Sequence, residues 1–88
     1  MPPKIVYRAE FFQEGHLYVG LVPELNVSSF GSTLEEARDS LQEAVQAFVE
    51  ECERMATLEE IMEEAGFSRR GDTWFPRQPI SEELLTVG

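Results

Sequence analysis

The chain holds one cysteine, Cys52, and one histidine, His16, in 88 residues. A single thiol excludes an internal disulfide framework and fits a reducing compartment. A single histidine narrows the routes to catalysis, because any Ser-His-Asp or Cys-His site would have to use His16 as its base. His16 falls at a hairpin turn. Cys52 sits four residues after Phe48 on an apolar helical stripe, where it reads as a small buried hydrophobe. No run of about 18 apolar residues occurs, which argues against a helical membrane span. Met1-Pro2-Pro3-Lys4 lacks the apolar core of a signal peptide, so a cytoplasmic location is expected. Metal-assisted hydrolysis needs carboxylates gathered in a pocket. Glu59, Glu60, Glu63 and Glu64 offer i,i+4 pairs without the histidines of carboxylate-bridged metal sites, and a solvated helix face is the simpler reading. No catalytic residue, cofactor or metal ligand is assigned, and the chain reads as a non-enzyme.

Basic residues are also scarce: seven against seventeen acids, a formal charge of −10. The imbalance is concentrated in one stretch. Residues 33–65 carry eleven acids against Arg38 and Arg54, a net of −9, while the flanking segments are close to neutral. Such a surface repels phosphate backbones and attracts basic partners. Direct nucleic-acid binding is therefore disfavoured, although Arg69 and Arg70 leave a small opening. Glu-rich helices also serve plain solubility.

A chain this short makes one domain, 1–88, with a thin core, since it buries only about 60–65% of its unfolded surface. Dimerisation commonly remedies a thin core. Residues 4–12 are β-branched and aromatic, as in a strand. Gln13-Glu14-Gly15 supplies a turn. His16 to Val22 then alternates, with Leu17, Val19 and Leu21 on one face and Tyr18, Gly20 and Val22 on the other. Pro23, without an N–H, closes that strand. A third strand is expected over Asn26 to Phe30, ending at Gly31. Thr33 and Glu36 form a capping box. After it, Leu34, Ala37, Leu41, Ala44, Val45, Phe48, Cys52 and Met55 make one apolar stripe whose only available cover is the sheet. Thr57 and Glu60 repeat the capping spacing for a short helix from Leu58 to Ala65, with Gly66 placed to end it. Gly71 marks a turn, and Thr73-Trp74-Phe75 reads as a fourth strand stopped by Pro76. Leu84 to Val87 fits either an edge strand or a loose tail. The fold class is α+β: a three-stranded antiparallel sheet packed by a long helix, then a short helix and a fourth strand. The core spans 4–55, and the short helix, strand and extended tail span 57–88.

Three motifs stand in a specific order. They are Tyr18-Val19-Gly20-Leu21-Val22-Pro23-Glu24-Leu25, then Gly31-Ser32-Thr33-Leu34-Glu35-Glu36-Ala37, then Leu41-Gln42-Glu43-Ala44-Val45. Together they resemble the HicB-like antitoxin family over residues 4–51. The resemblance implies a β-β-β-α-β core like a cut-down ribonuclease H fold without its nuclease site. It also implies a partner, a small basic HicA-like toxin that cleaves mRNA, and a dimer or larger homo-oligomer. Two departures stand out. Asn26-Val27-Ser28 replaces the usual Pro-Gly-Cys. The roughly thirty residues from Thr57 are too few, and too poor in basic residues, for the DNA-binding appendage of many members.

The expected partner-binding residues are Tyr18, Pro23, Glu24, Leu25 and Trp74. Glu24 lies at a strand-end turn where an exposed carboxylate would meet a basic partner, or simply be solvated. Tyr18 suits either a contact on the open hairpin face or cross-strand packing. Trp74 with Phe75 suits either an interface anchor or core filling beneath the second helix. Two functions follow as expectations: neutralisation of a HicA-like toxin by protein–protein contact, or a solitary homo-oligomeric adaptor with a HicB-like fold and no toxin. The segment Leu58 to Trp74 faintly resembles the toxin's own helix-turn-strand arrangement. It lacks the Gly-Ser-His signature, so no nuclease activity is assigned.

Overall fold

The structure, a computed structural model, describes residues 3–88. The chain runs β1 (Lys4–Ile5), β2 (Glu10–Glu14), β3 (Leu17–Val22), β4 (Val27–Gly31), α1 (Leu34–Arg54), α2 (Leu58–Glu64), β5 (Ser68–Arg70) and β6 (Thr73–Phe75). It is an α+β fold. β2, β3 and β4 form an antiparallel sheet in that order, and β1, β6 and β5 form a second small sheet.

The expected first strand over 4–12 is divided between the two sheets. Lys4 and Ile5 pair in parallel with Thr73 and Trp74 of β6, and the Val6 amide still donates to the Trp74 carbonyl at 2.9 Å. From Glu10 the same run pairs antiparallel with β3 instead. The change of neighbour, rather than any local break in the sequence, interrupts the strand. The return of β6 alongside β1 is a parallel pairing, which needs a long crossover, and the two helices supply it. The hairpin turn is Gly15 and His16 and not Gln13 to Gly15, since Gln13 and Glu14 pair within β2 and Gly15 takes φ 62°.

The helix α1 begins at the expected Thr33–Glu36 pair, although the return bond falls on Ser32, one residue before the cap. The Thr33 hydroxyl accepts from the Glu36 amide at 3.0 Å, and the Glu36 carboxylate accepts from the Ser32 amide at 2.8 Å. Ala37, Leu41, Val45 and Cys52 form its buried stripe. Leu34 and Met55, expected at the two ends of that stripe, are exposed, so the stripe is shorter than the helix. The helix ends in a Schellman motif, with Thr57 N–H on the Cys52 carbonyl and Ala56 N–H on that of Glu53. Ala56 takes the left-handed position at φ 57°.

That ending overturns the second capping box. The Thr57 hydroxyl makes no cap bond to α2 and turns back to the Cys52 carbonyl at 3.4 Å. At its far end α2 closes as expected. Gly66 at φ 91° lets the Phe67 amide reach the Met62 carbonyl at 2.9 Å.

The core gathers Val22 and Leu25 from the sheet side, Leu41 and Val45 from α1, and Met62, Phe67 and Trp74 from the C-terminal third. Two glycines set the spacing of the layers. A Cβ at Gly20 would lie 2.8 Å from the Phe11 ring and 3.0 Å from a Leu41 methyl. One at Gly31 would lie 2.6 Å from the Ala37 backbone nitrogen. The side of the sheet bearing Gly20 and Val22 is thus the inner one. The more bulky row of Leu17, Val19 and Leu21 faces away from the helix.

Candidate functional site

An acid-lined concavity at a free strand edge lies between β4 and the first half of α1. β4 ends the order β2-β3-β4, so one of its edges has no strand beside it among the described residues. Phe30, Gly31 and Ser32 form one wall of a cleft of about 390 Å³, and Glu36, Asp39, Ser40 and Glu43 form the other. The cleft exists because α1 starts hard against Gly31, with Ala37 fully buried beneath it. Glu36 is committed to the capping box. Asp39 and Glu43, one turn apart on the same face, carry carboxylates with no ion-pair partner among the described residues.

The charge around this cleft is almost uncompensated. All eleven acids of residues 33–65 are exposed, and among the described residues only Glu51 of them is ion-paired, to Arg54 one turn along. Arg38 leans over the Phe11 ring, 5.7 Å from its centroid, and not on a carboxylate. A surface of this sign, with a bare strand edge beside it, suits a cationic segment by charge and by backbone hydrogen bonding.

The expected site residues are not brought together. Pro23 is exposed at the β3–β4 turn, and Leu25, two residues on, is buried in the core. Glu24 corrects the expectation of an exposed carboxylate: its side chain is only 5% exposed, although the residue as a whole is half-buried. The turn through Pro23 to Asn26, with Asn26 at φ 54°, folds Leu25 inward and lays Glu24 against Arg8. The pair also raises the Arg8 pKa, chiefly through the hydrogen bond from the guanidinium to Glu24. The other Glu24 oxygen, Oε2, is buried with no hydrogen-bond partner among the described residues. Tyr18 is half-buried and lies on the inner, helix-facing side of β3 opposite Gly31, so it is not on the open face. Trp74, 3% exposed, packs with Met62 and Phe67, which places it as core filling and not as a surface anchor.

Sequence reasoning missed the cleft itself. Its signal was present in part, because Asp39 and Glu43 belong to the charged side of the helical pattern. That this side borders a strand edge depends on tertiary placement. β5 was also missed, since Ser68-Arg69-Arg70 is fully exposed and offers no apolar alternation. Its arginines rest on the adjacent aromatics, Arg69 at 6.0 Å from the Trp74 ring centroid and Arg70 at 5.2 Å from that of Phe75. Cys52 is buried, and burial pushes its thiol above the ordinary 9.0, partly countered by the hydrogen bond with Thr57. His16 is exposed at the hairpin turn. No group of three or more metal-ligating side chains occurs among the described residues, and no described helix is long and apolar enough to cross a membrane.

Fold and cleft together define a small two-layer α+β domain with a strongly acidic helix beside a bare strand edge. No protein-family model, no curated protein and no solved structure matches the chain.

Proposed function

We propose that the chain is an antitoxin-like binding protein, HicB-like in type, that neutralises a small basic HicA-like RNA-cleaving toxin by occupying its cationic surface. The observation carrying this reading is the cleft, where unpaired Asp39 and Glu43 line one wall and the free edge of β4 the other. A toxin that grips RNA must present basic side chains. An acidic helix competes for them while the β4 edge adds backbone hydrogen bonds. Support also comes from the three-stranded β2–β3–β4 sheet followed directly by the long helix α1, the part of the order that the motif resemblance implies. Association of this kind is fast and salt-sensitive, with rate constants up to about 10⁸–10⁹ M⁻¹s⁻¹ at low salt.

The same chain self-associates in this reading and acts in the cytoplasm. A second reading, the solitary homo-oligomeric adaptor, is favoured by one observation. Phe12, Leu17 and Phe30 are left uncovered on the outer side of the β2–β3–β4 sheet. The two are separated by reversing the cleft charge. Asp39→Lys with Glu43→Lys abolishes binding of a small basic partner and loses protection from it, whereas the adaptor reading has no basic partner to lose. Full protection by the reversed variant would rule out this docking face.

A further inference from the structure

One segment of the chain departs from the charge of the rest. Residues 66–81 carry Arg69, Arg70 and Arg77 against Asp72 alone, a net of +2 in a chain of −10. Seventeen carboxylates are available, yet among the described residues only Arg8 and Arg54 form an ion pair with one. Asp72 accepts from the Thr73 hydroxyl instead, at 3.0 Å. The three arginines of the segment have other supports. Arg69 donates from Nε to the Gly71 carbonyl at 2.9 Å and rests by Trp74. Arg70 lies over the Phe75 ring. Arg77 runs along Gly66 just beyond α2, its Nε 3.7 Å from where a Gly66 Cβ would stand.

Arg70 and Arg77 line a common recess. In the β5–β6 register Ser68 stands opposite Phe75 and Arg70 opposite Thr73, so these four share the side of the hairpin turned away from the buried Trp74. Buried Pro76 ends the hairpin and leads the chain to Arg77. The recess measures about 580 Å³, and Ser68, Arg70, Phe75, Arg77 and Gln78 line it without a carboxylate among the described residues. That volume lies in the range of small-molecule sites. Its polar lining is two guanidiniums, a hydroxyl and an amide, a set rich in donors. The guanidinium fork matches the oxygens of a phosphate, and two of them suit a double negative charge better than the single charge of a carboxylate. Charge also limits the size of the ligand. α2 ends beside the recess and carries Glu59, Glu60, Glu63 and Glu64, so a long polyanion would have to cross acidic surface.

We propose that this recess binds a phosphate monoester of small-molecule size. Arg70 and Arg77 grip the phosphate dianion, Ser68 and Gln78 donate to it, and Phe75 flanks the organic body of the ester. The recess shares no residue with the β4–α1 cleft, so this site and the docking of a basic partner stand or fall independently.

The test is a titration of the full chain with inorganic phosphate, phenyl phosphate and a short single-stranded RNA at constant ionic strength, followed by backbone amide shifts in nuclear magnetic resonance. Saturable shifts at Ser68, Arg70 and Gln78 are expected with both phosphates at millimolar concentration, phenyl phosphate binding the tighter. Arg70→Gln and Arg77→Gln each weaken binding by about 10-fold, the loss of one charge-assisted contact. Both side chains are exposed, so the fold is retained, which unchanged shifts at the buried Leu41 and Val45 verify. No saturable shift with either phosphate, or equal shifts in the Arg70→Gln/Arg77→Gln variant, would overturn the site. Equal affinity for the two phosphates would overturn the part given to Phe75. Tighter binding of the RNA at the same residues would overturn the small-molecule class and make the recess a nucleic-acid contact.

Discussion

Replacing Gly31 by alanine tests why this domain has its layers so close. Gly31 does not occupy the left-handed region, so its value is steric and not conformational. The added methyl would lie 2.6 Å from the Ala37 nitrogen, 2.6 Å from the Glu36 Cβ and 2.8 Å from the Glu36 carbonyl carbon. Two of those three atoms are backbone of the first helical turn, which cannot swing aside without disturbing the capping box. Overpacking costs about 1–3 kcal/mol, and a rigid backbone obstacle puts this case at about 3. Alanine returns up to about 1 kcal/mol through the unfolded chain, leaving a net loss of about 2 kcal/mol. For a domain of this size that lowers Tm by roughly 8–16 °C. Gly20→Ala is the internal control. Its methyl meets the Phe11 ring edge and a Leu41 methyl, side-chain ends that can yield, so a loss of about 1 kcal/mol or less is expected. Urea unfolding at fixed protein concentration, followed by the fluorescence of the single, buried Trp74, measures both variants. Equal losses at the two positions would refute the claim that helix backbone seated on Gly31 sets the layer spacing.

Other expectations follow from the helix ends and the buried titratable groups. Thr33→Ala removes the hydroxyl that accepts from Glu36 and half of the capping box, with an expected loss of about 1 kcal/mol in the same unfolding assay. Ala56→Gly should stabilise the chain. It relieves roughly 1–2 kcal/mol of left-handed strain and gives back up to about 1 in the unfolded state, for a net gain of about 0.5–1 kcal/mol. Burial raises both the Cys52 thiol and the Tyr7 phenol above their ordinary values of 9.0 and 10.0. The unfolded chain therefore releases these protons first. Their contribution to stability is complete below about pH 9 and is lost as pH rises above it. Cys52→Ala should flatten the first part of that alkaline decline, as read from urea midpoints across a pH series.

Much of the fold was legible because its signals are local. The Thr33–Glu36 spacing marks the start of α1, and Gly66 marks the end of α2 through a bond only a left-handed residue permits. Alternation in β3 separates two sets of side chains. It says nothing of which set is buried, and the larger, more apolar set turned out to face outward. The reason is that Gly20 and Gly31 admit the helix on the other side, a property of small residues that hydrophobicity does not register. Thr57 misled because its position is claimed by the end of α1 before α2 can use it. The division of residues 4–14 between two sheets depends on β6, almost seventy residues away. The candidate site divides similarly. Its charge was visible as the −9 of residues 33–65, but Glu24, Leu25 and Trp74 owe their burial to a turn, a counter-ion and a core that only the folded chain assembles.

The most direct test of the proposed function is capture from native lysate at low and then high salt, with the tagged wild type and the Asp39→Lys/Glu43→Lys variant side by side. Mass spectrometry identifies what is retained. The expected result is a stoichiometric small basic protein held by the wild type, released by salt and absent from the charge-reversed variant. A partner that is not basic, or one held equally by the charge-reversed variant at high salt, would contradict the acidic cleft as the docking site.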